Sequence, residues 1–431
     1  MLTRLQAPPF DQIRSRSADR AAPDAETAAS VQAILASVRA RGDAAVREYS
    51  RRLDASDLAP AEWELPRERW DAALAELPAG LREALEAAVL RVRTYHQRQV
   101  SGGFLDRDDH GNTLGMRVLP LDRVGVYVPG GKASYPSTVI MNVVPAAVAG
   151  VTDIVMVTPP GGLTSAVLAA AALAGVTRVF RIGGAQAIGA LAYGTDTVPA
   201  VDKIVGPGNR FVTEAKRQVA GAVGIDMLAG PTEVLIIADE TADPRFVAAD
   251  MIAQAEHDED ATAWCVTTSH ELPAALERQL QTQLNNAPRR EIIARSLATH
   301  GVVVLVPDLD AAVQVANLRA PEHLELLVQD PWPVANKVRH AGAVFAGAMT
   351  PEPVGDYLAG PSHVLPTSGT ARYVSPLGVY DFVKRTSIIS YSSDRLAQDA
   401  AHIIALAEAE GLYGHAAAIR IRKAGKGKRD A

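Results

Sequence analysis

Two doubly wound (Rossmann-like) α/β domains with small N- and C-terminal extensions are expected of this 431-residue chain. Three observations support this. From about Arg117 short β-branched runs alternate with alanine-rich helical stretches; glycine-rich turns follow the runs; and a second set of the same kind begins at Thr232. Strand–helix–strand repetition with turns after the strands indicates a parallel sheet with helices on both faces.

From about Asp24 to Val100 the pattern is helical and charged, with Val31, Ile34, Leu35 and Val38 at helical spacing and Gly42 as a stop. The first set of strands is "RVGVYVP" (123–129), "DIVMVTP" (153–159), "RVFRIG" (178–183) and "KIVGPG" (203–208), with helices "STVIMNVVPAAVAG", "LTSAVLAAAALAG" and "AQAIGALAYG" between them. The second set is "TEVLIIAD" (232–239), a helix opened by Asp243-Pro244, "TAWCVTTS", the helix "LPAALERQLQTQLNN" and "GVVVLVPD" (301–308), with "GAVFAG" (342–347) as a further strand. Beyond Gly378 we read a helix "DRLAQDAAHIIALAEAEG" and a short strand "AAAIRIRK".

A 48% hydrophobic, 21% charged chain of net charge -6 suits a soluble protein with large cores, and neither nucleic acid nor a membrane is an expected partner. The basic run "RKAGKGKRDA" (422–431) reads as a solvated tail. The longest apolar stretch is broken by Asn142, Pro145 and Asp153, and the first residues lack a signal-type apolar run, so a cytoplasmic location is expected. Cys265, the one cysteine, excludes an intrachain disulfide. It lies in an apolar strand pattern with no base or cation beside it, so it reads as core rather than as a nucleophile.

Three turns have the form of anion cradles: "VPGGKASYPST" (128–138), "GGAQAIG" (183–189) and "GPGNRFVTEA" (206–215). None completes G-x-G-x-x-G, and each alone is an ordinary βα turn. Three in one small domain point to a nucleotide or phosphate at the strands' carboxyl edge. Among ten histidines, His96, His110, His270, His300 and His340 read as solvated, and His402 as partly buried on a helix. Four others sit in denser settings. Gln254 and His257, in "QAEHDED", are i and i+3 on one helix face, where a surface helix explains them as well as a metal does. Glu322-His323 in "RAPEHLELLV" suits acid–base work but equally two exposed residues at a helix start. Asp356 and His363 share a loop-like Pro/Gly-rich stretch, and Glu410 and His415 straddle a helix end.

The segments "VGVYVPGGKASYPSTVIMNVVPAAVAGV", "IGGAQAIGALAYGT", "VDKIVGPGNRFVTEAKRQV", "IDMLAGPTEVLIIAD", "QAEHDEDA", "APEHLEL", "GDYLAGPSHVLPT" and "EAEGLYGHAAAIRIR" together resemble the histidinol dehydrogenase family, in order and spacing, over about residues 25–422. The resemblance implies one Zn2+ per subunit held by Gln254, His257, Asp356 and His415, and a catalytic pair Glu322 and His323. It implies substrate contacts from Thr232, His363 and Glu410 beside the metal ligands and His323, and NAD+ contacts from Tyr127, Gln186 and Asn209. Most members carry serine at the position of Thr232; the hydroxyl is retained here. The implied reaction is oxidation of L-histidinol to L-histidine through the aldehyde with two NAD+. His323 would be the base, Glu322 would activate water, and zinc would orient the substrate. An intertwined homodimer is implied, in which Glu410 and His415 complete the site of a partner subunit. The expected division is an extension (1–24), a discontinuous first α/β domain (25–126 and 232–377), a second with the NAD-binding turns (127–231) and a C-terminal dimerisation segment (378–431). The alternative is a sister zinc and NAD dehydrogenase acting on another small polyol-type alcohol; the presence of Glu410 and His363 favours histidinol.

Overall fold

The computed structural model describes residues 2–6, 25–130 and 134–424. Its larger unit combines residues up to 99 with 121–382; its smaller unit combines 100–120 with the chain from 383. Gly131–Ala133 of the first glycine turn, most of the 1–24 extension and the basic tail from Gly425 lie outside the described residues.

The larger unit contains two doubly wound parallel sheets. In one, the spatial order is Arg178–Phe180, Asp153–Val157, Arg123–Tyr127, Lys203–Val205, Gly224–Ile225. In the other it is Thr3–Gln6, Val302–Leu305, Thr262–Thr267, Glu233–Ala238, His323–Leu327, Ala343–Ala346. Apart from the added Thr3–Gln6 edge strand, both sheets have one plan: two strands laid outward from the first, then a reversal to its other side. That reversal opens a crevice at the strand ends, where α/β proteins bind ligands. The expected strand "GAVFAG" is the edge strand Ala343–Ala346.

Side chains on the two faces of each sheet alternate, as strand geometry demands. Val124, Val126, Ile154 and Met156 point into one core with the helices Pro136–Ala149 and Ser165–Ala174, while Val155, Val157 and Ile204 point into another with Gly184–Tyr193 and Arg210–Val219. The helices of residues 25–97, which the sequence division grouped with 232–377, pack on this sheet instead. Ala25–Arg41 places Val31, Ile34, Leu35 and Val38 on the Gly184–Tyr193 helix, where Gly189 lets the backbones approach. Burying each of those side chains contributes about 1.5–3 kcal/mol. Cys265 is fully buried in the second sheet's core with Val234, Ile236 and Leu276, and burial pushes its thiol up to about 12.

The smaller unit is an antiparallel sheet, Val383–Ser390, Thr113–Pro120, Phe104–Arg107, with the helices Ser393–Ala409 and Tyr413–Ala424. The run "AAAIRIRK", expected as a strand, lies in the second helix. Gly411 takes φ +72°, Leu412 N–H closes on the Ala407 carbonyl at 2.8 Å, and the chain re-enters a helix at once. His402 is exposed rather than partly buried, because this helix buries Ala400 and Ala407. His96 is buried rather than solvated, completing the Leu85, Val89, Val92 stripe, with Nδ1 2.8 Å from the Val92 carbonyl. No helix among the described residues is long and apolar enough to cross a membrane.

Candidate active site

The catalytic candidates stand at the amino-terminal edge of the second sheet. Thr232 immediately precedes Glu233–Ala238, and Glu322 immediately precedes the adjacent His323–Leu327. Adjacent parallel strands therefore set them side by side. Thr232 Oγ1 donates to Glu322 Oε2 at 2.6 Å, the Glu233 N–H donates to the same oxygen at 3.0 Å, and Gln254 Nε2 donates to Thr232 Oγ1 at 2.9 Å. His323 Nδ1 lies 3.2 Å from the Glu233 carbonyl. A carbonyl only accepts, so Nδ1 carries the proton and Nε2 keeps its lone pair. Nε2 is buried and has no protein partner among the described residues. Glu322 and His323 thus begin a buried strand, not an exposed helix.

Glu233 itself is anchored by a buried ion pair with Arg319 at 2.7 Å and accepts from Ser368 N–H at 2.8 Å. The turn into Glu322 passes through Ala320 at φ +50°, a left-handed conformation that caps Leu309–Arg319.

Gln254 closes the helix Pro244–Ala255, and His257 lies just past its end; the His257 N–H still bonds the Gln254 carbonyl at 3.3 Å. Asp356 is on a short helix, Glu352–Tyr357, rather than in a loop. Ligand-type atoms of His257, Glu352 and Asp356 all lie within 4.8 Å of one another, and His363 Nδ1 is 3.9 Å from Asp356 Oδ1. Glu352 went unnoticed in the sequence. Its one signal is the i, i+4 spacing to Asp356 after Pro351, visible only once that stretch is read as a helix. Gln254 Oε1 is buried without a hydrogen-bond partner among the described residues. An orphaned amide oxygen, an imidazole and a carboxylate are donors suited to a divalent cation such as zinc, so the residues present fit the implied metal.

Burial dominates the electrostatics. It pushes Glu322 up to about 8, against the two hydrogen bonds that favour its carboxylate, and Asp356 up to about 7. It pulls His323 down to about 3 and His363 down to about 4. Two adjacent groups driven apart in this way can take different proton-transfer roles.

The carboxyl edge of the first sheet faces the same space. A cavity of about 390 Å³ is lined by Pro129, Gly206, Pro207 and Asn209 from that edge and by Thr232, His257, Glu322, His323, Asp356 and His363 from the other. Gly206 takes φ +109°; a Cβ there would lie 2.2 Å from the Tyr127 carbonyl. Buried Lys216 donates to the Gly206 carbonyl at 2.9 Å and pairs with Asp226, which accepts from the Gly206 N–H at 2.8 Å. Asn209 caps its helix, accepting from Phe211 and Val212 N–H. Tyr127 OH accepts from Gly184 N–H at 3.2 Å, and Gln186 Nε2 donates to Asp54 Oδ2 at 2.9 Å. At the "GGAQ" turn the anion position is thus occupied by the chain's own Asp54. Glu410 and His415 belong to the smaller unit, where both are exposed at the bend between its helices.

Glu322 and His323 face the strand-order reversal of a doubly wound sheet, the crevice at which nucleotide-binding α/β proteins take their ligands. Comparison with known proteins makes the assignment specific: the family described as histidinol dehydrogenase matches residues 17–423. Histidinol dehydrogenase of Aquifex aeolicus is 51% identical over 395 residues, 91% of this chain and 92% of that protein. The enzyme of the same name from Dechloromonas aromatica is 53% identical over 417 residues, 95% and 96%. The crystal structure of histidinol dehydrogenase from Elizabethkingia anophelis superposes with a TM-score of 0.93 at 32% identity, covering 99% of both chains. The chain belongs to the histidinol dehydrogenase family.

Proposed function

We propose that this protein oxidises L-histidinol to L-histidine by way of L-histidinal, in the cytoplasm, as a step of histidine biosynthesis. Two hydrides pass in turn to two NAD+; the alcohol step releases one proton, and the aldehyde step, which consumes one water and ends at the carboxylate, releases two. The observation that carries the reading is His323, whose Nδ1 is held by the Glu233 carbonyl while the buried Nε2 is left free as a base. Nε2 takes the proton from the alcohol oxygen as hydride leaves carbon, and again from the aldehyde hydrate. Glu322, fixed by Thr232 and Glu233, takes the proton of the water that adds to the aldehyde. A pyridine nucleotide across Pro129 and Gly206–Asn209, with Tyr127 and Gln186 as further contacts, would present its ring to this cavity.

Gln254, His257, Asp356 and the partner subunit's His415 would hold one Zn2+. When bound, the ion supplies a fixed positive anchor for the imidazole and amine nitrogens of the substrate. His363 and Glu410 read the substrate's polar groups. Glu410 and His415 are exposed in a unit that also exposes Ile389, Leu406, Tyr413 and Ile421, apolar surface that a second copy would cover in a homodimer.

The test is the number of NADH formed per L-histidinol consumed, before and after chelation and after zinc is restored. Two NADH, lost with the metal and regained with zinc, is the expected result. No NADH from histidinol by zinc-loaded protein would remove this substrate and favour another small alcohol.

A further inference from the structure

The first sheet binds its cofactor, on the reading above, without the acidic residue such sheets ordinarily use. In dinucleotide-binding folds a carboxylate near the end of the second strand accepts the ribose hydroxyls of NAD. Here that strand, Asp153–Val157, runs into Thr158-Pro159-Pro160-Gly161-Gly162, which offers no carboxylate. Asp226, at the same sheet edge, is taken up by Lys216 and by the Gly206 and Met227 amides.

Asp54 comes from outside the sheet. It follows the helix Asp43–Leu53, which packs against Gly184–Tyr193, and its carboxylate accepts from Gln186 Nε2 at 2.9 Å and from the Gly183 N–H. The helix start stabilises it there. A carboxylate has about four acceptor positions, so two remain open. Asp54 is only half-buried, so those positions are within reach of a ligand. Beside it Gln186 is wholly buried and holds the carboxylate in place through its Nε2. An anchored, half-buried carboxylate with open acceptor positions suits a ligand that donates, as a ribose diol does.

We propose that Asp54 reads the ribose of the dinucleotide and repels a ribose 2′-phosphate, so that this residue sets the choice of NAD+ over NADP+. The proposal rests on the NAD+-dependent reading of this chain. A phosphate placed against an anchored carboxylate meets like charge, and specificity by repulsion follows.

The experiment measures kcat/KM for NAD+ and for NADP+ with L-histidinol in the zinc-loaded full-length protein. The wild type is compared with Asp54→Asn, Asp54→Ser and Asp54→Glu, with Tm and zinc content recorded. Loss of a charge-assisted hydrogen bond should lower NAD+ efficiency about tenfold or more in the Asn and Ser variants. The NAD+/NADP+ ratio should narrow by at least that factor, while KM for histidinol stays unchanged. Asp54→Glu, which keeps the charge, should keep the ratio. A ratio unchanged in properly folded Asn or Ser variants would overturn the proposal and leave Asp54 as a prop for the glycine turn. If the wild type forms no NADH from histidinol, the functional reading has failed, which is distinguishable from failure of Asp54 alone.

Discussion

Thr232 is the hub of the site: one hydroxyl donates to Glu322 and accepts from Gln254, tying the carboxylate proposed to activate water to a proposed metal ligand. Thr232→Ser keeps both bonds and should retain activity. Thr232→Val keeps the shape but strands the buried Gln254 amide and leaves Glu322 with the Glu233 N–H alone, costing about 1–3 kcal/mol in urea unfolding. Its activity should fall as well, and unchanged activity would show that the hydroxyl is dispensable. Glu322 makes a pH prediction. Burial raises it to about 8, and it works as a base only when deprotonated. The aldehyde-oxidising half-reaction should therefore rise with pH and level off above about 8, and Glu322→Gln should remove that limb. A limb that persists in the variant would assign it to another group. Cys265, with its thiol at about 12 in a closed core, should resist alkylation of the folded protein at pH 8. Rapid labelling accompanied by loss of activity would revive a thiol route.

Among the secondary-structure elements, the strands were legible because β-branched runs and glycine turns carry period and punctuation together. Two readings went astray where the local pattern was ambiguous. In "AAAIRIRK" the apolar–polar alternation suggests a strand, yet the same residues extend a helix begun right after Gly411. In "PEPVGDY" two prolines and a glycine suggest a loop, yet Pro351 caps a short helix at its amino end, and that helix brings Glu352 beside Asp356. The packing of Ala25–Arg41 on the first sheet could not be read either, because an apolar stripe does not name its partner. Gly189 records it: a Cβ there would meet Leu35 at 3.1 Å and Val38 at 3.3 Å. Gly189→Val should force the helices apart at a cost of about 1–3 kcal/mol in denaturant. A variant as stable as the wild type would mean that this interface adapts.

On the scale of the whole molecule, two sheets with one strand plan face a single cavity with opposite ends. The first sheet contributes its carboxyl edge, with Pro129 and Gly206–Asn209; the second contributes its amino edge, with Thr232, Glu322 and His323. Much of this was readable in the motifs, since residues adjacent to strand ends are adjacent to each other across a sheet. The interaction of Asp54 with Gln186 was not, because 132 residues separate the two and neither belongs to a recognisable pair. That a second copy supplies His415 is the proposal furthest from anything one chain displays. Subunit complementation tests that claim most directly. His323→Asn and His415→Asn are each inactive on this account; they are unfolded together, mixed in equal amounts and refolded. Random pairing makes half the dimers hybrid, each with one intact site, so activity should return to about a quarter of the wild-type value. No recovery from well-folded hybrids would contradict a site completed by a second copy.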